Sequence, residues 1–165
     1  MIKIMVFRYC QNNPCPSYYY QRVELSPEAL EMKIKKVFIV DDDPEFRRFL
    51  KKFLSDQPGL EIVGEAADGK QALEKVKKIK PDLVLLDIRM PGMDGFSASR
   101  LLKRIMPDLQ IIIMTIFDDL EYKDSVVENG AFGYIVKSNL TRDLMPAIHA
   151  VLKNENKAHK HRNEK

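Results

Sequence analysis

The stretch VFIVDDDPEFRRFL, Val37–Leu50, runs an apolar, β-branched segment straight into three acids, Asp41, Asp42 and Asp43, and then into Pro44. An unbroken run of Val, Ile and Phe is the composition of a strand buried on both faces. Beyond Pro44 the residues Phe46, Phe49, Leu50 and Phe53 recur at helical spacing, so a helix with one apolar face follows. Pro44 suits its first turn and Asp43 is its natural N-cap. A buried strand feeding a helix is the building block of a parallel α/β sheet. The acids need a separate explanation. At the end of a buried strand they repel one another and resist desolvation, unless something cationic sits among them.

The same alternation continues outward. LEIVGEA (60–66) predicts a second strand after the turn residues Pro58 and Gly59, and GKQALEKVKKIK (69–80) a helix capped by Asp68. PDLVLLD (81–87) is a third apolar run ending in an acid, followed by the loop IRMPGMDG and the helix FSASRLLKRIM (96–106), with Asp94 as its cap. Met90, Met93 and Met114 read as packing, and Pro91 and Gly92 as turn residues. LQIIIMT (109–115), the helix DDLEYKDSVVENG (118–130) closed by Gly130, the strand FGYIVK (132–137) and the helix NLTRDLMPAIHAVLKNE (139–155) complete five βα units. The predicted fold is α/β: a five-stranded parallel sheet with helices on both faces.

In such open sheets ligands gather at the carboxyl ends of the strands. Those ends carry Asp41, Asp42 and Asp43 after strand one, Asp87 after strand three, Thr115 after strand four and Lys137 after strand five. Clustered carboxylates suit a hard divalent cation such as Mg²⁺, which takes oxygen ligands and commonly shares its shell with a phosphate. A lysine and a hydroxyl at the same edge offer a phosphoryl group a counter-charge and a donor. Asp87, between metal and Lys137, is placed to act as a carboxylate nucleophile. Neither GxxxxGK[ST] nor GxGxxG occurs, so a nucleotide held in a P-loop is not the expected phosphate source.

The totals agree with that picture. The chain has 165 residues, 45% hydrophobic and 31% charged, enough for one domain with tails. A net charge of +3 does not by itself imply nucleic acid. No apolar run approaches the roughly 20 residues of a membrane helix. Both cysteines, Cys10 and Cys15, lie in the first stretch, without the further ligands a zinc site requires. A cytoplasmic location is the expectation.

The motifs VFIVDDDP, DLVLLDIRMPGMDG, IIIMT and GAFGYIVK, in that order and on those strands, resemble the receiver domain of two-component response regulators. GEAADGKQAL and GYIVKS resemble its NarL/FixJ-like branch. The resemblance implies a flavodoxin-like, CheY-like (βα)5 fold and a signalling switch rather than an enzyme. Only self-phosphorylation from a phosphodonor and slow autodephosphorylation would be expected of it. It implies Asp87 as phosphoacceptor, with Mg²⁺ held by Asp42, Asp87 and the backbone carbonyl of Arg89, and Asp41 beside them. Lys137 would pair with the phosphoryl oxygens, and Thr115 would bond to them as Tyr134 turns inward. The implied partners are a sensor histidine kinase or phosphotransfer protein, then a downstream protein target or a second copy in a homodimer. Two positions depart from the pattern: Ile116 is bulky where a small residue is common, and Ser138 follows Lys137 where many relatives have proline.

The alternative is a haloacid-dehalogenase-like phosphatase with Asp41 as nucleophile and Asp41–Asp43 as its DxD motif. Against it, Glu45 replaces the usual Thr or Val, and Asp87 has no role. The domain reading is an N-terminal extension over 1–33, a receiver over 34–154 and a basic, disordered tail over 155–165. MKIKKVFIVDDDP, from Met32, looks like a natural start for the family. No nucleic-acid-binding module and no membrane segment are expected in this chain.

Overall fold

A computed structural model describes residues 34–116 and 128–162. The described elements are β1 (Lys35–Val40), α1 (Pro44–Ser55), β2 (Leu60–Ala66), α2 (Gly69–Ile79), β3 (Leu83–Asp87), α3 (Gly95–Ile105), β4 (Gln110–Thr115), β5 (Gly133–Val136), a 3-10 turn (Lys137–Asn139) and α4 (Leu140–Arg162). The strands form one five-stranded sheet in the order β2-β1-β3-β4-β5. Every pairing is parallel, as the uninterrupted apolar runs predict.

Strand alternation divides the core between two faces. Phe38, Val40, Val84, Leu86, Ile111 and Ile113 pack with Ala72 and Val76 of α2 and with Ala98 and Leu102 of α3. Val37, Ile39, Leu83, Leu85, Ile112 and Met114 pack with Leu50 and Leu54 of α1 and with Leu144, Ile148 and Val151 of α4. All five residues of β3 are buried, which explains why that strand shows no polar alternation in sequence. The register of β1 against β2 slips between Val37 and Phe38, so Phe38 faces Gly64. A Cβ on Gly64 would lie 2.7 Å from the Phe38 ring, and only glycine leaves that ring room.

The caps agree with the sequence. The Asp43 carboxylate accepts from the backbone N–H groups of Glu45 and Phe46, that of Asp68 from Gln71 and that of Asp94 from Ser97. The helix predicted over 118–130 lies almost wholly outside the described residues. Gly130 at its end has φ +77°, the left-handed conformation of a helix stop. Of the tail that the sequence predicts over 155–165, the backbone is helical as far as Arg162. Nothing from Ala147 onward is Gly or Pro, and Lys, Arg, Ala and Glu there favour helix.

Candidate functional site

Strand register assembles the site. Val40 pairs with Leu86, so Asp41 and Asp87 follow on adjacent strands. Asp87 pairs with Met114, one residue before Thr115. Thr115 in turn pairs with Val136, one residue before Lys137. Four positions scattered over nearly a hundred residues thus reach one edge without any long loop having to fold correctly.

Asp41, Asp87 and Thr115 are buried polar residues. The Lys137 ammonium, on a mostly buried side chain, lies 2.7 Å from Asp41 Oδ2 and 2.9 Å from Asp87 Oδ1, bridging β1 and β3. The other oxygen of Asp41 accepts from the Asp43 N–H at 3.0 Å. The loop after Lys137 is a 3-10 turn, and the described residues contain no cis peptide bond. Ser138 in place of proline therefore leaves the lysine able to reach both acids.

Burial pushes the Asp87 carboxyl up to about 6; the Lys137 ion pair opposes the shift, and the charges of Asp41 and Asp42 add to it. Asp41 is likewise raised, chiefly by burial and against the pull of Lys137. Burial works to lower the Lys137 pKa, but its two carboxylate partners outweigh that and raise it.

Carboxylate oxygens of Asp41, Asp42 and Asp87 lie within 4.8 Å of one another. Asp42 is the exposed member and opens the cluster to solvent. Asp41 Oδ2 is buried and is paired with the Lys137 ammonium 2.7 Å away. Three converging carboxylates fit a hard divalent cation. Arg89 stands two residues past Asp87 with its side chain exposed, so a role for its carbonyl asks nothing of that side chain. The loop is pinned by the Gly95 N–H, which donates to the Ile88 carbonyl at 2.8 Å. Tyr134 pairs with Ile113 and packs on the face that holds Ile113; alternation puts Thr115 on that same face.

Two neighbours were not legible as site residues. Arg47 of α1 donates from Nη1 to the Asp41 carbonyl at 2.6 Å, with its Nε 3.4 Å from Glu65 Oε2. Phe46, read from sequence as a core-facing helix residue, has its ring under Lys137, with Nζ 4.4 Å from the centroid. An arginine or phenylalanine in a first helical turn carries no signal of such a contact.

Residues 37–149 match the family model described as the response regulator receiver domain, and the chain belongs to that family. Among curated proteins it is similar to the Oxygen regulatory protein NreC of Staphylococcus aureus (strain JH9), 40% identical over 121 residues that make up 73% of this chain and 56% of NreC. The chain thus spans about half the length of the curated relatives it matches. The solved signal receiver domain of the response regulator NarL from Mycobacterium tuberculosis is 31% identical, with a TM-score of 0.65, covering 73% of this chain and 95% of that one. A chain of the CheX-CheY-BeF3-Mg+2 complex from Borrelia burgdorferi is 27% identical, with a TM-score of 0.68, covering 72% of this chain and 89% of that one. The resemblance to NarL-like receivers is borne out. The phosphatase reading finds no support: Asp43 is engaged as a helix cap, and Asp87, idle in that scheme, lies inside the acid cluster.

Proposed function

We propose that this chain is a phosphoryl-accepting switch that takes its phosphoryl group on Asp87 from a sensor histidine kinase or a phosphotransfer protein. The observation that carries the reading is the single ammonium of Lys137 held between Asp41 and Asp87, beside the exposed Asp42. An Asp87 carboxyl near 6 is mostly ionised at neutral pH, as a nucleophile must be. Its oxygen forms the new bond to phosphorus while the donor's phosphorus–nitrogen bond breaks, leaving an acyl phosphate on Asp87 and the electron pair on the donor imidazole.

Lys137 then exchanges a carboxylate for phosphoryl oxygen as its partner, and Thr115 donates its hydroxyl to another. Asp41, Asp42, Asp87 and the Arg89 carbonyl would hold Mg²⁺, which offsets negative charge on the phosphoryl oxygens when bound. The magnesium of the CheX-CheY-BeF3-Mg+2 complex from Borrelia burgdorferi supports that choice of ion. Thr115 and Tyr134 share one sheet face, so a shift of the first frees space for the second, and two surface states follow. Output passes by protein contact, to a downstream target or a second copy. Residues 34–154 form the receiver, with 1–33 an extension and 155–165 a basic tail; the protein works in the cytoplasm. It turns nothing over except its own aspartyl-phosphate, slowly.

Intact mass after incubation with acetyl phosphate and Mg²⁺ tests the reading. One phosphoryl group is expected on the wild type, none on Asp87→Asn and none with EDTA present. An adduct that survives Asp87→Asn means another carboxylate is the acceptor. No adduct on either protein means the chain binds partners without being phosphorylated.

A further inference from the structure

No step of that transfer uses the aromatic ring beneath the site lysine. Phe46 is half-buried and packs on the core face shared by α1 and α4. Its ring lies 6.0 Å from that of Phe49, which lies 6.1 Å from that of Phe53. Phe49 thus packs against the Phe46 ring, tilted to it by 34°. Lys137 Nζ stands 4.4 Å from the Phe46 centroid while touching Asp41 and Asp87 at 2.7 and 2.9 Å. Two sides of the ammonium therefore meet carboxylates. The remaining side meets the negative face of the ring, a cation–π contact in a poorly hydrated setting.

We infer that Phe46 is a positioning residue for phosphoryl transfer, holding the Lys137 ammonium over Asp87 through its ring. The inference rests on Asp87 being the acceptor. Its logic is competition. Asp41 and Asp87 belong to the donor set that fits a divalent cation, so their claim on the ammonium is the part a cation weakens. A ring face binds no hard cation of that kind and keeps its hold. Phe46 therefore gives the lysine a seat independent of what the acids are doing. A residue that only filled the helix–sheet interface would be replaceable by any apolar side chain of similar size.

Two measurements on the full chain test this. In the metal-free protein, the ε-methylene protons of Lys137 are expected upfield of ordinary lysines, from the Phe46 ring current. Phe46→Tyr keeps that shift and Phe46→Leu abolishes it, with both variants melting cooperatively. In the second measurement, acetyl phosphate and Mg²⁺ are added and adduct formation is followed by mass. Phe46→Leu slows it about threefold to tenfold, while Phe46→Tyr stays close to wild type. An unshifted Lys137 signal in the wild type, or equal rates for Phe46→Leu and wild type, overturns the inference. If Tyr and Leu are equally slow, Phe46 is a packing residue and the inference also fails. A shifted lysine with no adduct on the wild type instead sinks the acceptor reading, and with it any role of Phe46 in transfer.

Discussion

Asp87 pays for its position: a carboxylate buried beside two others holds its charge poorly. Its pKa stands near 6, against an ordinary value of 3.8, with burial the main cause. Between those values the folded chain keeps a proton that the unfolded chain has lost. Metal-free stability therefore rises as pH falls through 6, and the gain is complete near the unfolded value. Asp87→Asn is already neutral and lacks this contribution. In EDTA we expect Asp87→Asn to be more stable than wild type at about pH 7.5, with the gap shrinking by about 1–3 kcal/mol as pH drops toward 4. Urea melts across that range would show it, and a gap constant with pH would remove burial as the explanation. Gly95 constrains the same residue from behind. A Cβ there would overlap the Asp87 carbonyl oxygen and fall 2.9 Å from Ile88 Cα. Gly95→Ala must push the backbone that carries Asp87, so a loss of about 3 kcal/mol is expected by thermal or denaturant melting, together with failure to form the phosphoryl adduct.

At the scale of elements, the helices stop and start where their ends are chemically satisfied, with one costly exception. The C-cap of α2 is Lys80 at φ 52°, a left-handed position filled without glycine. Cβ strain in that region costs about 1–2 kcal/mol, and glycine returns part of the gain through its unfolded-state entropy. Lys80→Gly should therefore stabilise the protein by about 0.5–1 kcal/mol in denaturant melts; destabilisation would mean that the lysine side chain contributes more than its backbone costs. This element also marks a limit of sequence reading. The apolar spacing of GKQALEKVKKIK and the Asp68 cap made the helix legible, but a lysine in place of the usual glycine concealed how it ends. The C-terminal helix was harder to bound: the sequence of its final turns carries no apolar stripe, and a helical pattern is read from that stripe. The strands were legible because burial on both faces demands unbroken apolar runs. The acids, Thr115 and Lys137 were legible because strand ends converge. The ring beneath the lysine and the Arg47 hold on the Asp41 carbonyl were not, since both depend on rotamers that no spacing encodes.

At the scale of the whole molecule, the sheet order sets how firmly each part of the site is held. Asp41 and Asp87 extend from β1 and β3, each flanked by strands on both sides, whereas Lys137 extends from β5, four residues long and last in the order. Backbone amides protected by two neighbours and two helical layers open only with global unfolding, while a short strand at the margin opens sooner. Amide exchange should therefore be slowest in 37–40 and 83–87 and measurably faster in 133–136; equal protection would mean the sheet opens only as one unit. The consequence concerns failure rather than signalling. When the molecule frays at its margin, the cation departs first and leaves the acid pair on an otherwise intact platform. The acid pair of the half-open form then sits in a locally more negative field than in the native one, with an unmet demand for positive charge. By linkage, a divalent cation that found those acids more readily without the lysine would favour the half-open form, whereas one that bound both forms alike would leave the margin's opening unchanged.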